Sequence, residues 1–423
     1  MKEMDNAPPK GMRDFAPEKM IEREQTIGIV KSIFRKYGFK PLGTPAVETL
    51  DVLNKKCGDE IAGQIFKIAD SELGLRFDMT VPLARAVAAS NFARPFKRYV
   101  IGPVWRREEP QKGRLREFVQ ADIDIVGCAG MKAEAELIAC AVECIRALGF
   151  DKPRVKINNR KIMDAVFESL KIPKENEFAV YRALDKLEKI GKKEVEKELD
   201  AKGVEKPKIG AIFSLLEGKG ENDAKVAVVE TIAPEGAAEM RSLLSLLEKY
   251  GVDVEVDLAL VRGLDYYTGP VFEIQLGGGI GSVAGGGRYD KLLSMYGQPD
   301  SAVGISLGIE RLMALLEEKK KAGEEKKTYT EVYVAAVKEE FFDDALKIAQ
   351  KLRSEGIACE TDLLGRNLRK QFEYANSSGI PWAAIVGEKE RNEKKVTLRN
   401  FVSGEEKLVT ISDAVQLILA KKR

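Results

Sequence analysis

The sequence predicts an α+β chain: a domain built on an antiparallel sheet, a mainly helical insertion within it, and a separate C-terminal α/β domain. Three observations carry this expectation. The run 98-RYVIGPVWRREEPQKGRLREFVQADIDIVG-127 reads as two antiparallel strands joined by a charged loop. Residues 170–250 change to helical spacing, with Leu184, Leu187 and Ile190 recurring between charged faces. Beyond the charged, glycine-broken stretch 317-EEKKKAGEEKKTYT-330, strand and helix patterns alternate to the C-terminus. At 423 residues the chain exceeds what one hydrophobic core organises. The expected divisions are 1–169 and 251–320 for the two parts of the sheet domain, 170–250 for the insertion and 331–423 for the last domain.

Each element has a local reason. Pro8, Pro9 and Gly11 hold the start extended, and Pro17 suits a first helical turn. Ile27, Val30, Ile33, Phe34 and Tyr37 share one face of a helix over 18–37, which Gly38 ends. Residues 39–49 read as an extended piece, and 65–80 as strand, turn and strand with the turn near Leu73-Gly74. A helix follows over 81–92. In the returning strand after the loop, Phe118, Gln120, Asp122 and Asp124 fall on one face, with Val119, Ala121, Ile123 and Ile125 on the other. The apolar face is core; the polar face suggests a lined pocket. Residues 132–148 read as helix and 252–261 as strand. The run 277-GGGIGSVAGGGRYD-290 reads as a flexible hairpin connection. It lacks the following helix and downstream acid of a dinucleotide fingerprint, which argues against that kind of site. In the last domain, strands are expected at 331–337, 357–360, 382–387 and 395–400, with helices at 340–354 and 366–377.

Composition narrows the chemistry. The chain has no histidine, which excludes serine–histidine and cysteine–histidine nucleophiles and imidazole metal ligands. Five cysteines show no C-x2-C spacing; Cys140 and Cys144 read as buried small residues of a helix, and no metal site is expected. No run approaches the roughly 20 apolar residues of a membrane span, and the N-terminus lacks the apolar core of a secretion signal. A cytoplasmic location and no membrane partner are therefore expected. Net charge is only +2, yet residues 76–116 hold ten Lys/Arg against three acids, a local surplus suited to phosphates or to a solvated basic face.

Taken together, 98–127, 303-VGISLGIERLMAL-315 and the helix with its extended segment through Pro45 resemble motifs 2, 3 and 1 of the class II aminoacyl-tRNA synthetases. The segments 11-GMRDF-15, 75-LRFDMT-80, 110-PQKGRLREF-118 and 261-VRGLDYYTG-269 resemble the histidyl branch of that class, and 362–390 resembles its anticodon-binding domain. The resemblance spans essentially the whole chain. It implies a ligase that activates L-histidine with ATP, escorted by Mg²⁺, and transfers it to the tRNA for histidine. It implies catalytic roles for Arg106, Arg262 and Arg311, with Arg106, Glu108, Arg114 and Arg311 on ATP. It places Asp78, Thr80, Gln120, Asp124, Arg262, Tyr266 and Tyr267 around histidine, with Asp78 and Asp124 standing where many members carry glutamate. Arg366, Arg369 and Lys370 would meet RNA, and the motif 1 region would form a homodimer. A catalytically inactive regulatory or tRNA-sensing paralogue, or a synthetase of the class for another amino acid, are the alternatives.

The residues are compatible with this implied chemistry. Forming an anhydride between a carboxylate and the α-phosphate of ATP crowds negative charge at one centre. Arginine holds phosphate oxygens in a planar fork and stays charged, and no side-chain nucleophile is required.

Overall fold

A computed structural model describes residues 6–55, 62–111, 114–218, 220–261, 266–277, 279–319 and 326–420. The strands in chain order are β1 (Lys40–Pro41), β2 (Val47–Thr49), β3 (Leu73–Leu75), β4 (Phe96–Trp105), β5 (Glu117–Val126), β6 (Arg154–Asn159), β7 (Val254–Val256), β8 (Pro270–Gln275), β9 (Ser282–Arg288) and β10 (Ala302–Gly308) in the larger unit. Eight of them form one sheet in the order β1-β4-β5-β10-β9-β8-β6-β7, while β2 and β3 pair separately. The central pairings from β4 to β6 are all antiparallel; only the edge strands β1 and β7 run parallel to their neighbours.

The period-2 alternation of β5 sets the two sides of this sheet. Ala121, Ile123 and Ile125 join the main core with the helices Lys132–Ala147 and Pro234–Lys249. Cys140 and Cys144 are buried and free there, as their alanine-rich surroundings imply. The helical region divides: residues of 163–213 form a second cluster together with Val261, whereas Val226, Val229, Met240 and Leu243 join the sheet's core.

Three local expectations are corrected. The turn within 65–80 lies at residues 69–72, closed by the Ile68 N–H donating to the Leu73 carbonyl at 3.0 Å, with Asp70 at φ +56°. Leu73 and Gly74 are in β3, where a Cβ on Gly74 would press to 3.0 Å on Ile65 and Leu53. The glycine run is only partly a connection: Gly285, Gly286 and Gly287 sit inside β9, between β8 and β10. Their absent side chains give space. The run 252–261 contributes only Val254–Val256 to the sheet, because the buried Asn158 amide donates to the Leu258 and Leu260 carbonyls and draws the chain out of the ladder.

A second unit comprises residues 14–25 and 321–423. Its five-stranded sheet has the order β12-β11-β13-β14-β15, from β11 (Val332–Ala336), β12 (Cys359–Thr361), β13 (Trp382–Val386), β14 (Val396–Asn400) and β15 (Glu406–Val409). The helices Phe342–Ser354 and Ile411–Ala420 bury Ala345, Ile348 and Ile418 on it. The expected strand–helix alternation is present, extended by β15 and the last helix. Among the described residues, no helix is long and apolar enough to cross a membrane.

Space without side chains is a requirement at Gly304 on β10, where a Cβ would collide with the Asp124 carboxylate. Gly304→Ala is expected to lower stability by about 1–3 kcal/mol through overpacking, measured by urea denaturation; a midpoint equal to that of the wild type would refute this.

Candidate active site

The polar face of β5 forms the floor of a cavity of about 350 Å³. Register fixes its neighbours. Asp124 lies opposite Arg98 on β4 and Gly304 on β10, Asp122 opposite Val100 and Ser306, and Gln120 opposite Gly102 and Gly308. Phe118, Gln120, Asp122 and Asp124 all line the cavity.

One end is acidic and aromatic. Arg98 is 1% exposed, and its Nη2 lies 2.7 Å from Asp124 Oδ2 and donates to the Met79 carbonyl at 3.0 Å. Asp124 Oδ1 accepts the hydroxyl of Tyr289. Burial, then the negative charge of Asp124, hold that hydroxyl well above the ordinary phenol range. Tyr289 meets Tyr266 edge-on at 6.2 Å between centroids, and Tyr266 lies 4.4 Å from Tyr267, giving an aromatic wall. Asp78 Oδ1 accepts the backbone N–H groups of Thr80 and Val81 at 3.2 and 3.0 Å, satisfying the first two N–H groups of the helix Thr80–Ala88, and Thr80 lines the cavity.

Asp122 has a different environment. Its Oδ1 is buried without a hydrogen-bond partner. Burial pushes the carboxyl up to about 7; Arg98 and a hydrogen bond with Ser306 oppose the shift, while Asp124 and Asp78 add to it. The Gln120 amide donates to Ser306 Oγ at 2.8 Å.

The other end is cationic. Arg106 on the far end of the β4 hairpin donates through Nε to the Phe77 carbonyl at 2.9 Å and lies 5.1 Å over the Phe118 ring. Glu108 stands 3.9 Å from Arg106 and 3.7 Å from Arg114. Arg311, in the first turn of the helix Ile309–Lys319 that follows β10, donates to the Ser282 carbonyl at 2.5 Å. Its neighbour Glu310 accepts the Val119 N–H at 2.8 Å, locking that helix start to β5.

Arg106, Glu108, Arg114 and Arg311 therefore share one cavity with Asp78, Thr80, Gln120, Asp124, Tyr266 and Tyr267. Arg262 lies outside the described residues. Arg366, Arg369 and Lys370 belong to the second unit. There Arg366 is held by Asp362 at 2.6 Å and lies 4.4 Å over Tyr374, while the Arg369 side chain is 87% exposed beside Glu373. Near it, Phe372, Phe401 and Arg399 line a shallow cavity. Sequence reasoning passed over Arg98, Ser306 and Tyr289 and assigned Asp122 no role. The polar alternation of β5 already marked Asp122; Tyr289 was hidden in the glycine-rich run. Among the described residues, no group of three or more acidic or thiol side chains is placed to hold a metal ion by itself.

An antiparallel sheet presenting a hairpin arginine and an arginine from the helix after its last strand to one cavity is the arrangement of a class II aminoacyl-tRNA synthetase. A family model described as histidyl-tRNA synthetase matches residues 11–312, and one described as anticodon binding domain matches 331–421. Similar curated proteins are the histidine–tRNA ligases of Aeropyrum pernix, 40% identical over 97% of this chain and 97% of its own, and of Cytophaga hutchinsonii, 38% identical over 97% and 99%. The crystal structure of histidyl-tRNA synthetase from Nostoc sp. PCC 7120 matches with a TM-score of 0.87 at 30% identity, covering 99% of this chain and all of that one. The chain belongs to the histidyl-tRNA synthetase family.

The Asp122 environment has a measurable sign. An aspartate near 3.8 when unfolded and near 7 when folded binds its proton more tightly in the folded state. The stability this contributes is present below about 4 and is lost as pH rises through 7. Asp122→Asn removes the loss, so its gain in melting temperature over the wild type is larger at pH 8 than at pH 5, corresponding to about 4 kcal/mol at most. Equal differences at the two pH values would refute the assignment.

Proposed function

We propose that this cavity forms histidyl-adenylate at the meeting point of its two ends, with Arg106, Arg311 and Arg262 gathered on the reacting phosphate. The chain is an ATP-dependent histidine–tRNA ligase of the class II type. The observation that carries the assignment of residues is the joining of a carboxylate and tyrosine end to a guanidinium end in one cavity.

In the first step a carboxylate oxygen of histidine attacks the α-phosphorus of ATP, the bond to the β-phosphate breaks and pyrophosphate leaves. No proton moves, so fixed cations suffice. Arg106 and Arg311 steady the phosphate oxygens from opposite elements, and Arg262 acts on the carboxylate and α-phosphate. Glu108 and Arg114 hold the nucleotide. Asp78 and Thr80 receive the α-amino group, with Gln120, Asp124, Tyr266 and Tyr267 around the rest of the amino acid. Glu108 and Glu310, both lining the cavity, would supply carboxylate oxygens to a Mg²⁺ ion accompanying ATP, which would help neutralise the phosphate charge. In the second step a ribose hydroxyl of the terminal adenosine attacks the acyl carbon, AMP leaves, and the phosphate oxygen of the adenylate takes the hydroxyl proton.

Residues 331–423 serve as the anticodon-binding domain, with Arg366, Arg369 and Lys370 meeting tRNA phosphates. Arg366 would act from a fixed position, given its bond to Asp362. Residues 1–169 and 251–320 form the catalytic domain around the insertion 170–250. The enzyme works in the cytoplasm as a homodimer joined through the motif 1 region.

Histidine-dependent exchange of pyrophosphate into ATP tests the reading. The wild type is expected to exchange with histidine alone among the amino acids. No exchange would indicate a silent paralogue, and exchange with another amino acid a different specificity. Arg106→Ala and Arg311→Ala are each expected to lower kcat about 10²- to 10³-fold with unchanged melting temperature; rates within threefold of the wild type would remove these residues from the reaction.

A further inference from the structure

We propose that Arg160 is a positioning residue through which the helical insertion holds the tyrosine wall of the active site. The inference rests on the histidine-activating role given to this cavity. It gives a part in that role to the insertion, none of whose described residues lines the cavity.

The segment that carries Tyr266 and Tyr267 is fastened to the insertion's core on both sides. Upstream, Val261 is buried with Val180, Tyr181 and Leu184 of the helix Lys174–Asp185. Downstream, the Gly269 carbonyl accepts the backbone N–H of Arg160 at 2.9 Å. Arg160 is the first residue of the helix Arg160–Ser169, which leaves β6 where Asn159 lies opposite Pro270, the start of β8. Met163, Val166 and Phe167 of the same helix belong to the insertion's cluster. The sheet holds the segment separately, through the Thr268 N–H donating to the Arg288 carbonyl at 2.8 Å.

The Arg160 side chain completes the connection. Its guanidinium carbon lies 3.7 Å from the centroid of the Tyr181 ring, over the face. Its Nε donates to Asp164 Oδ1 at 3.3 Å, and the Tyr181 hydroxyl donates to the same oxygen at 2.5 Å. Burial holds that hydroxyl well above the ordinary phenol range, with Arg160 opposing the shift and Asp164 adding to it, so the phenol stays a donor. Tyr181 is 1% exposed, and its ring is tilted on Phe167 at 4.8 Å between centroids. The ring under Arg160 is therefore set by the insertion's packing. The arginine works against its own helix. A cation at the first position opposes the helix dipole, the first turn holds no acid, and a cation four residues before an acid is the weaker orientation of such a pair. What favours Arg160 there is the contact with Asp164 and Tyr181. Gly269 lies two residues past Tyr267, and a displacement of about 1 Å in a positioning group can cost 10²-fold in rate. Arg106, Glu108, Arg114 and Arg311 come from other elements, so loosening the joint acts on the amino-acid end alone.

Pyrophosphate exchange on the full-length protein, with histidine and ATP varied separately, tests the proposal. Arg160→Ala and Tyr181→Leu are each expected to raise the KM for histidine about tenfold, with the KM for ATP within about twofold. The doubly substituted protein is expected to be within about twofold of the poorer single variant, because both changes break one connection. Should Tyr181→Leu fail to fold, Tyr181→Phe takes its place; it removes only the bond to Asp164 and is expected to raise the histidine KM about threefold. A histidine KM within about twofold of the wild type in Arg160→Ala, a parallel rise in the KM for ATP, or effects that multiply in the double variant would overturn the positioning role while leaving histidine activation standing. Absence of histidine-dependent exchange in the wild type would overturn both.

Discussion

The site depends on keeping one guanidinium and several carboxylates dry on a single sheet face. Arg98 is the centre of that arrangement. It ties Asp124 on β5 to the Met79 carbonyl, and so ties the floor to the start of the helix that Thr80 opens and Asp78 precedes. A buried ion pair gains little net stability, because desolvation offsets attraction. What it supplies here is position. Asp122 lies beside the same pair; burial is the main cause of its raised proton affinity, and the charge of Asp124 adds to it against the pull of Arg98. The neighbouring strands contribute by omission: Gly304 yields room for the Asp124 carboxylate and Gly287 for the ring of Tyr267.

A second buried pair serves the same end from another side. Arg288, at the end of β9, lies 2.6 Å from Glu134 in the first turn of the helix Lys132–Ala147 and also donates to the Cys128 carbonyl. Burial pushes Glu134 up to about 7 despite that partner. The cluster pins the strand end to the helix, and Tyr289, the next residue, is thereby delivered to Asp124. The two ion pairs thus act in series. Arg288 places Tyr289, and Tyr289 with Arg98 fixes Asp124.

Much of this was legible in the chain. The alternation of Phe118, Gln120, Asp122 and Asp124 against Val119, Ala121, Ile123 and Ile125 needs only the period of a strand, and the cavity lies on the polar side it indicates. The helix Pro17–Lys36 and the strand–helix order of the second unit follow from equally local patterns. What was not legible depends on partners distant in sequence. The glycines of β9 resemble a loop until β8 and β10 flank them, and a strand is made by its neighbours as much as by its residues. The partners of Arg98 are fixed by the register of β4 on β5, and that of Tyr289 by β10 lying between β5 and β9. The misplaced turn at Leu73-Gly74 has the same cause: the glycine answers to Ile65 and Leu53, contacts that no local rule reveals.

The division of the cavity also explains how a chain without histidine can carry out this reaction. Attack of a carboxylate on a phosphoanhydride transfers no proton, so the cationic end needs groups whose charge never changes. Guanidinium meets that need across the whole physiological range. Burial moves Asp122, on the polar face of β5, towards neutrality. The two ends thus lie along one sheet: Arg106 and Arg114 flank the loop between β4 and β5, Arg311 follows β10, and Asp122 and Asp124 stand in the middle of β5.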